Sequence, residues 1–177
     1  METSNFNSRR DFLSKSVKGA VLVGGTTFLG NVLNPLATSA KSADPVLQAK
    51  VAQLGTASLQ SSQLALTKAT NADVKMFAKF EAAEQETMGK ILKDMGTVVP
   101  APSPEGTALL TKLRSLNGAA FDRAFMQAQV ETHQKLHQAV SALNASGDQH
   151  VKHVTSLALT TIMEHTERGQ MLLSKLG

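Results

Sequence analysis

The sequence predicts an all-helical protein, an antiparallel bundle of four long helices with a short extra helix before the third. Its five prolines stand at positions 35, 45, 100, 102 and 104, so two long stretches of the chain contain none. Ala, Leu, Gln, Lys and Met, which favour helix over strand, are abundant in both stretches. Short connections between long helices favour antiparallel packing. We therefore expect residues 41–177 to form a single bundle domain.

Local signals set the expected bounds of each helix. Asn71 or Asp73 can cap the start of the second helix. Gly96 and the proline-rich run 98–104 interrupt the chain before the short helix. Asn117 and Gly118 mark a bend before the third long helix, and Gly147 makes a tight turn before the fourth. The expected helices span about residues 45–70, 72–95, 105–115, 119–145 and 148–176.

The N-terminal residues carry an export motif. Residues 8–15 read Ser-Arg-Arg-Asp-Phe-Leu-Ser-Lys. The pair Arg9 and Arg10, followed by Phe12 and Leu13, resembles the bacterial twin-arginine signal. An apolar run of about 20 residues follows, and the small residues Ala-Thr-Ser-Ala at 37–40 offer a signal-peptidase site. We expect residues 1–40 to direct export through the twin-arginine translocase to the periplasm or another extracytoplasmic compartment. A solvated arm with two ordinary arginines is the alternative.

The apolar run from Val17 to Leu36 is long enough to span a bilayer. Its glycines, its threonines and Asn31 make it a poor anchor, however, and no later segment is apolar enough to span. The sequence leaves open whether the signal is cleaved or retained. We expect no stable membrane anchor in the mature protein.

Composition excludes several function classes. The chain has 18 Lys and Arg against 14 Asp and Glu, and residues 1–40 hold four of the basic and two of the acidic residues. The remaining 137 residues carry a net charge of only +2, which does not indicate a nucleic-acid partner. The absence of cysteine excludes disulfides, thiolate nucleophiles and cysteine-ligated metals. Without Trp or Tyr, stacking surfaces are also scarce.

Four ionisable residues fall on predicted inward faces. When residues are placed 100° apart, Glu81 and Glu84 lie within the apolar arc of the second long helix. Phe80 falls in the same arc, and Met163 on the fourth long helix is expected to be core filler. His133 lies on the apolar side of the third helix, with Gln129, and His165 lies in the middle of the stripe of the fourth. The tight turn before the fourth helix sets residue 133 about 6 Å along the axis from the level of His165. All four can therefore share one layer, which Ser58 or Ser61 could face from the first helix.

Two interpretations of this layer remain open. The glutamates and histidines could hydrogen-bond one another as a buried polar layer that fixes helix register. They could instead bind a divalent transition metal, because carboxylate and imidazole suit iron, manganese, zinc or copper. A di-iron centre is not indicated, because the first helix has no inward carboxylate and the chain has no Glu-x-x-His pair.

The other polar residues give weaker signals. Asp122 is expected to be structural, as a cap or as a partner of Arg123 or Lys112. His133 and His137 could coordinate together at their i, i+4 spacing. His150 and His153 point away from the apolar stripe of the fourth helix, and this pair is expected to be solvated. The sequence shows no phosphate loop, nucleophile elbow or catalytic carboxylate pair, so we predict no catalytic residue and do not favour an enzyme.

Several segments resemble the bacterial family called domain of unknown function 4142. They are Phe77-Ala-Lys-Phe-Glu-Ala-Ala-Glu-Gln85, Gly118-Ala-Ala-Phe-Asp-Arg-Ala-Phe-Met126, His133 and His165. The resemblance covers about residues 47–176 and implies a ferritin-like four-helix bundle in exported proteins, with no established activity. Many members carry Asp-His where this chain has Glu84-Gln85. The positions that match the family are Glu84 in part, Asp122, His133 and His165.

Overall fold

The computed structural model describes residues 44–177, which contain five α-helices and no strand. The helices are α1 (Pro45–Lys68), α2 (Ala72–Asp94), α3 (Pro104–Ser115), α4 (Gly118–Ser146) and α5 (Gln149–Lys175). The predicted all-helical class is confirmed, and each expected helix agrees with the observed one to within two residues at either end. The predicted export signal, residues 1–40, lies outside the described residues.

Short polar side chains begin four of the five helices. Asp44, Asn71, Ser103 and Asp148 each accept hydrogen bonds from backbone N–H groups of the first turn. Helix α4 begins differently, because Asn117 makes no capping hydrogen bond and Gly118 has φ +58°. That left-handed conformation favours glycine, so the bend predicted at this position has a steric cause.

The helices enclose two hydrophobic clusters. Helix α1 packs against α2 and α4, α4 packs against α5, and α3 lies on α1 and α4. The phenylalanine cluster comprises Ala65, Ala69, Val74, Phe77, Ala78, Leu113, Phe121, Phe125, Met126 and Leu172. The aliphatic cluster comprises Val51, Ala52, Leu92, Leu136, Ala139, Val140, Leu143, Val151, Ala158 and Ile162. Because α2 and α5 pack only loosely on each other, the aliphatic cluster is less well covered on that side.

Two residues assigned to inward faces are exposed. The Phe80 side chain was predicted on the apolar stripe of α2, but it is 50% exposed. Periodicity places Phe80 on the correct side of α2, yet no helix within residues 44–177 closes over it, because α2 and α5 stand apart there. Met163, predicted as core filler, is 49% exposed on α5, one residue beyond the buried Ile162. None of the helices described here is long and apolar enough to span a lipid bilayer.

Candidate functional site

Three buried ionisable side chains meet between the two clusters. Glu81 from α2, His133 from α4 and His165 from α5 are at most 6% exposed. Each offers one ligand atom, and these atoms lie within 4.8 Å of one another. Glu81 Oε2 is 2.6 Å from His165 Nδ1 and 3.3 Å from His133 Nε2. The two ring nitrogens are 3.3 Å apart.

Helical spacing explains why these polar side chains point inward. Glu81 follows the buried residues Phe77 and Ala78 by one turn, so it shares their face of α2. His165 likewise follows the buried Ile162 on α5. The ring centroids of Phe77 and His165 are 5.4 Å apart. The phenylalanine cluster thus shields one side of the site from water.

The two oxygens of Glu81 have different surroundings. Oε1 accepts hydrogen bonds from Ser58 Oγ at 2.5 Å and from Gln85 Nε2 at 3.0 Å. Oε2 is fully buried, and no N–H or O–H of the described residues is directed at it with hydrogen-bond geometry. It nevertheless lies against the ring nitrogens of both histidines. One oxygen is therefore held by the protein, and the other faces the histidines.

The outer nitrogen of each histidine already has an acceptor beside it. His133 Nδ1 is 2.8 Å from the backbone carbonyl of Gln129, and a carbonyl can only accept. His165 Nε2 lies 3.5 Å from Glu84 Oε2 and 3.4 Å from Glu164 Oε2. Protons on these outer nitrogens leave the inner nitrogens of neutral imidazoles with lone pairs directed toward Glu81.

The electrostatics of the group favour a charged carboxylate. Burial alone raises the pKa of the Glu81 carboxyl, but the two adjacent imidazoles outweigh burial and hold that pKa well below its usual range. Burial lowers the pKa of His165, but Glu81, together with Glu84 and Glu164, outweighs it, so the pKa of His165 is raised. Desolvation, with the nearby Glu81 and Glu164 carboxylates, raises the pKa of Glu84 against the opposing charge of His165.

A buried amide and three serines connect the site to α1. Gln129 Nε2 donates to Ser61 Oγ at 3.0 Å and to Ser62 Oγ at 3.1 Å. Gln129 Oε1 lies 2.8 Å from Ser58 Oγ, the hydroxyl that also reaches Glu81. These contacts fix the position of Glu81 relative to both α1 and α4.

The structure brings together three of the four residues predicted to share a layer. Glu81, His133 and His165 are in mutual contact, whereas the Glu84 side chain is 44% exposed and reaches only the outer nitrogen of His165. Ser58 contacts Glu81 directly, but Ser61 is linked through Gln129. The exposed residues His137, His150 and His153 are not part of the group.

Sequence reasoning missed two residues of the site. Gln85 was seen only as a departure from the resembled family, yet its amide donates to Glu81. Gln129 was placed on the apolar side of its helix, and a buried amide in such a position needs hydrogen-bonding partners. That need was the available signal, although the sequence does not say which residues satisfy it.

Asp122 forms a separate buried site with a structural role. Its carboxylate accepts hydrogen bonds from Thr70 N, Thr70 Oγ1 and Asn71 N at 2.6–3.2 Å. The expected partners Arg123 and Lys112 are not the ones it binds. It instead holds the turn between α1 and α2 from the facing α4, because backbone N–H groups in that turn lack helical acceptors.

Two of the three separations among the converging atoms match the spacing of metal ligands. Ligands bound tetrahedrally at 2.0–2.1 Å stand about 3.3 Å apart, which follows from tetrahedral geometry. Two of the three separations, His133 to Glu81 and His133 to His165, are 3.3 Å. The third, from His165 to Glu81, is 2.6 Å and has the length of a charge-assisted hydrogen bond. The arrangement is chemically able to hold either a cation or a shared proton.

These contacts define an all-helical protein with a buried carboxylate–imidazole group between two hydrophobic clusters. The sequence profile of the domain of unknown function DUF4142 matches residues 33–172. The chain therefore belongs to the DUF4142 family, and the predicted resemblance is confirmed. No curated protein and no solved structure matches the chain.

Proposed function

We propose that this protein binds a divalent transition metal through Glu81, His133 and His165. The observation that carries the proposal is the orientation of the two histidines. Each has an acceptor at its outer nitrogen, so the inner nitrogens and Glu81 Oε2 form a set of three acceptors. Three acceptors in mutual contact repel one another unless a cation or a proton lies among them.

The surroundings of the three ligands support the same proposal. Metal-bound histidines commonly donate their second ring N–H to a carboxylate or a backbone carbonyl, and both kinds of partner occur here. Ser58 and Gln85 hold the other oxygen of Glu81. The two nitrogens and one oxygen suit zinc, iron, manganese or copper, and separations of 3.3 Å favour tetrahedral zinc among them.

A second candidate is a non-catalytic structural or interaction protein of the cell envelope. The 2.6 Å separation between Glu81 and His165 favours it, because an imidazolium and a carboxylate at that distance satisfy each other without a metal. In this alternative the same residues form a buried polar layer that fixes the register of α2, α4 and α5.

Metal content and metal-dependent stability separate the two candidates. Protein purified from its natural compartment is analysed for metals, stripped with a chelator and melted with added Zn²⁺, Fe²⁺, Mn²⁺ or Cu²⁺. A bound metal at 100 times its Kd stabilises the fold by about 2.7 kcal/mol. Absence of stoichiometric metal, together with a melting temperature that ignores all four ions, would refute metal binding.

The double variant His133→Ala with His165→Ala gives an independent readout. A metal site predicts that the variant loses binding and no longer responds to the ion. A polar layer predicts a lower melting temperature with no metal effect in either protein. His150→Ala with His153→Ala is the matched control, because these exposed histidines lie outside the group.

We also propose that the protein is exported by the twin-arginine route and acts outside the cytoplasm. The support is the motif at residues 8–15, followed by the apolar run and the small residues at 37–40. In a bacterial host, Arg9→Lys with Arg10→Lys is expected to leave the protein in the cytoplasmic fraction. Unchanged export of this variant would contradict the proposal.

A ferritin-like arrangement of the four long helices is part of the proposal. The support is that the start of α2 and the start of α4 both contribute to the phenylalanine cluster, as do the ends of α1 and α5. Helices α2 and α4 then run in the same direction, and the connection through α3 crosses the length of the domain. A single long crossover of this kind is characteristic of ferritin-like bundles.

A further inference from the structure

A cavity of about 770 Å³ lies over the aliphatic cluster, between α2 and α5. This volume is within the range of small-molecule binding sites. Phe80 on α2 and Leu157 on α5 line the cavity, and they are 50% and 70% exposed. Large apolar side chains exposed on both sides of one cavity are typical of a binding site.

The cavity is apolar along most of its length. Its walls include Met88, Ile91, Leu136, Val140, Val154 and Ile162. Along α2 and its C-cap the lining extends from Phe80 to Met95, a distance of about 22 Å at 1.5 Å per residue. A long, narrow apolar surface of this kind suits an extended hydrocarbon chain, and burying each methylene contributes about 0.8 kcal/mol.

The buried ionisable groups of the cavity lie toward one end. His133 and His165 form part of its wall there, and the half-exposed carboxylate of Glu84 stands beside them. Glu164 also approaches His165 but is paired with Arg168. Glu84 pairs with no lysine or arginine of the described residues, and its charged neighbour at this end is the His165 ring, 3.5 Å away, so one half-exposed carboxylate edge faces the cavity.

We propose that this cavity binds a single-chain amphiphile with a protonated amine head, its hydrocarbon chain over the aliphatic cluster and its amine at Glu84. An ammonium group would form a charge-assisted hydrogen bond with that carboxylate. A carboxylate head at the same end would stand beside Glu84 and Glu164 and be repelled. Helices α1, α2, α4 and α5 all line the cavity, and the proposal does not depend on a metal at Glu81.

The direct test is calorimetric titration of the metal-stripped full chain with dodecylamine, dodecanoate and butylamine. We expect one dodecylamine per chain, bound below its micelle-forming concentration and at least tenfold more tightly than dodecanoate. Butylamine, which has the head without the long chain, is expected to bind at least a hundredfold more weakly. Lys90 and Lys93 also line the cavity, so tighter binding of dodecanoate would overturn the assignment of the head group.

Point variants test separately the part of the cavity that would bind the hydrocarbon chain and the part that would bind the amine head. Glu84→Gln is expected to weaken dodecylamine binding by about three- to tenfold, whereas Glu167→Gln, an exposed glutamate outside the cavity, is expected to leave it unchanged. Leu157→Gln is expected to weaken binding, with Met171→Gln on the same helix as the control. Ala158→Phe fills the cavity and is expected to abolish binding. Unchanged affinity in Glu84→Gln and Leu157→Gln, or absence of saturable binding, would overturn the proposal.

Discussion

Asp122 and Glu81 are carboxylates buried in the same domain, but their partners differ in kind. Asp122 is 1% exposed and accepts from two backbone N–H groups and one hydroxyl. Glu81 is 0% exposed and has only Oε1 satisfied in this way, while Oε2 faces two imidazoles. The partners of Asp122 always donate, whereas histidine can donate, accept or bind a metal. Burial alone therefore does not distinguish a structural carboxylate from a candidate ligand.

The largest expected effect comes from replacing the structural carboxylate. Asp122→Asn is expected to lower the free energy of unfolding by about 2–4 kcal/mol, because an amide cannot accept all the hydrogen bonds of the α1–α2 turn. Denaturant unfolding with and without chelator measures it, and we expect the same loss in both. Asp73→Asn, at an exposed carboxylate of that region, is the control. If the loss of stability in Asp122→Asn depended on metal, the distinction between a structural Asp122 and a metal-binding Glu81 would be wrong.

Replacing the other carboxylate is expected to act mainly on metal binding. Glu81→Gln keeps the shape of the side chain and removes its charge, so metal affinity is expected to fall by more than a hundredfold. The metal-free variant is expected to lose only about 1–2 kcal/mol of stability, since Ser58 can still donate to an amide oxygen. Competition titration with a chromophoric chelator measures the affinity. Equal metal affinity in Glu81→Gln and in the native chain would remove Glu81 from the ligand set.

The pH dependence of the metal-free protein is expected to follow from Glu81 and His165. The pKa of Glu81 is lowered, so its stabilisation is present above its ordinary value of 4.5 and is lost as pH falls through its folded pKa. The pKa of His165 is raised, so its stabilisation is complete below 6.5 and is lost as pH rises through its folded pKa. The half-exposed Glu84 opposes Glu81 only weakly because solvent screens it. Stability should therefore be greatest between about pH 4.5 and 6.5.

Metal binding is expected to have the opposite pH dependence. A metal needs a neutral His165 imidazole, so the gain in melting temperature on adding Zn²⁺ should decrease as pH falls through the raised pKa of His165. Thermal melts across this range, with chelator and with Zn²⁺, measure both trends. If melting temperature changed with pH in the same way with chelator and with Zn²⁺, the polar layer would be favoured over the metal site.

The smallest expected effect concerns the contact between α1 and Gln85. A Cβ added at Gly55 would lie 2.8 Å from Gln85 Oε1, so Gly55→Ala displaces the amide that donates to Glu81. We expect metal affinity to fall by up to about tenfold, as for other partners of a ligand. Gly89→Ala is the matched control because nothing lies within 4 Å of its added Cβ. The control should gain up to about 1 kcal/mol of stability with unchanged metal affinity.

One physical reason explains why both the helices and the three buried candidate ligands could be predicted from the sequence. A helix has a fixed angular period, so Glu81, His133 and His165 could be placed on inward faces without knowing which helices are neighbours. Glu84 and Phe80 were placed inward by the same rule, but they are exposed because α2 and α5 do not close over them. Angular period does not give the distance between two helices.

The partners of Asp122 could not be predicted for a related reason. Thr70 and Asn71 lie 52 and 51 residues earlier in the chain, and the contact depends on how α4 packs beside the α1–α2 turn. The sequence therefore indicated that Asp122 is structural, but the expected partners Arg123 and Lys112 were wrong. The same applies to Gln129. The sequence showed that its amide would need hydrogen-bonding partners, but it did not show that these are Ser61 and Ser62 on α1.

The three converging side chains come from α2, α4 and α5, separated by 52 and 32 residues of chain. No short segment contains the site, so it exists only once the tertiary structure has formed. The twin-arginine route carries chains that are already folded, and metal selection in cells depends on which ions are available. If the chain is exported as proposed above, it would bind an ion that is available in the compartment where it folds. It would then carry that ion into the compartment where it acts.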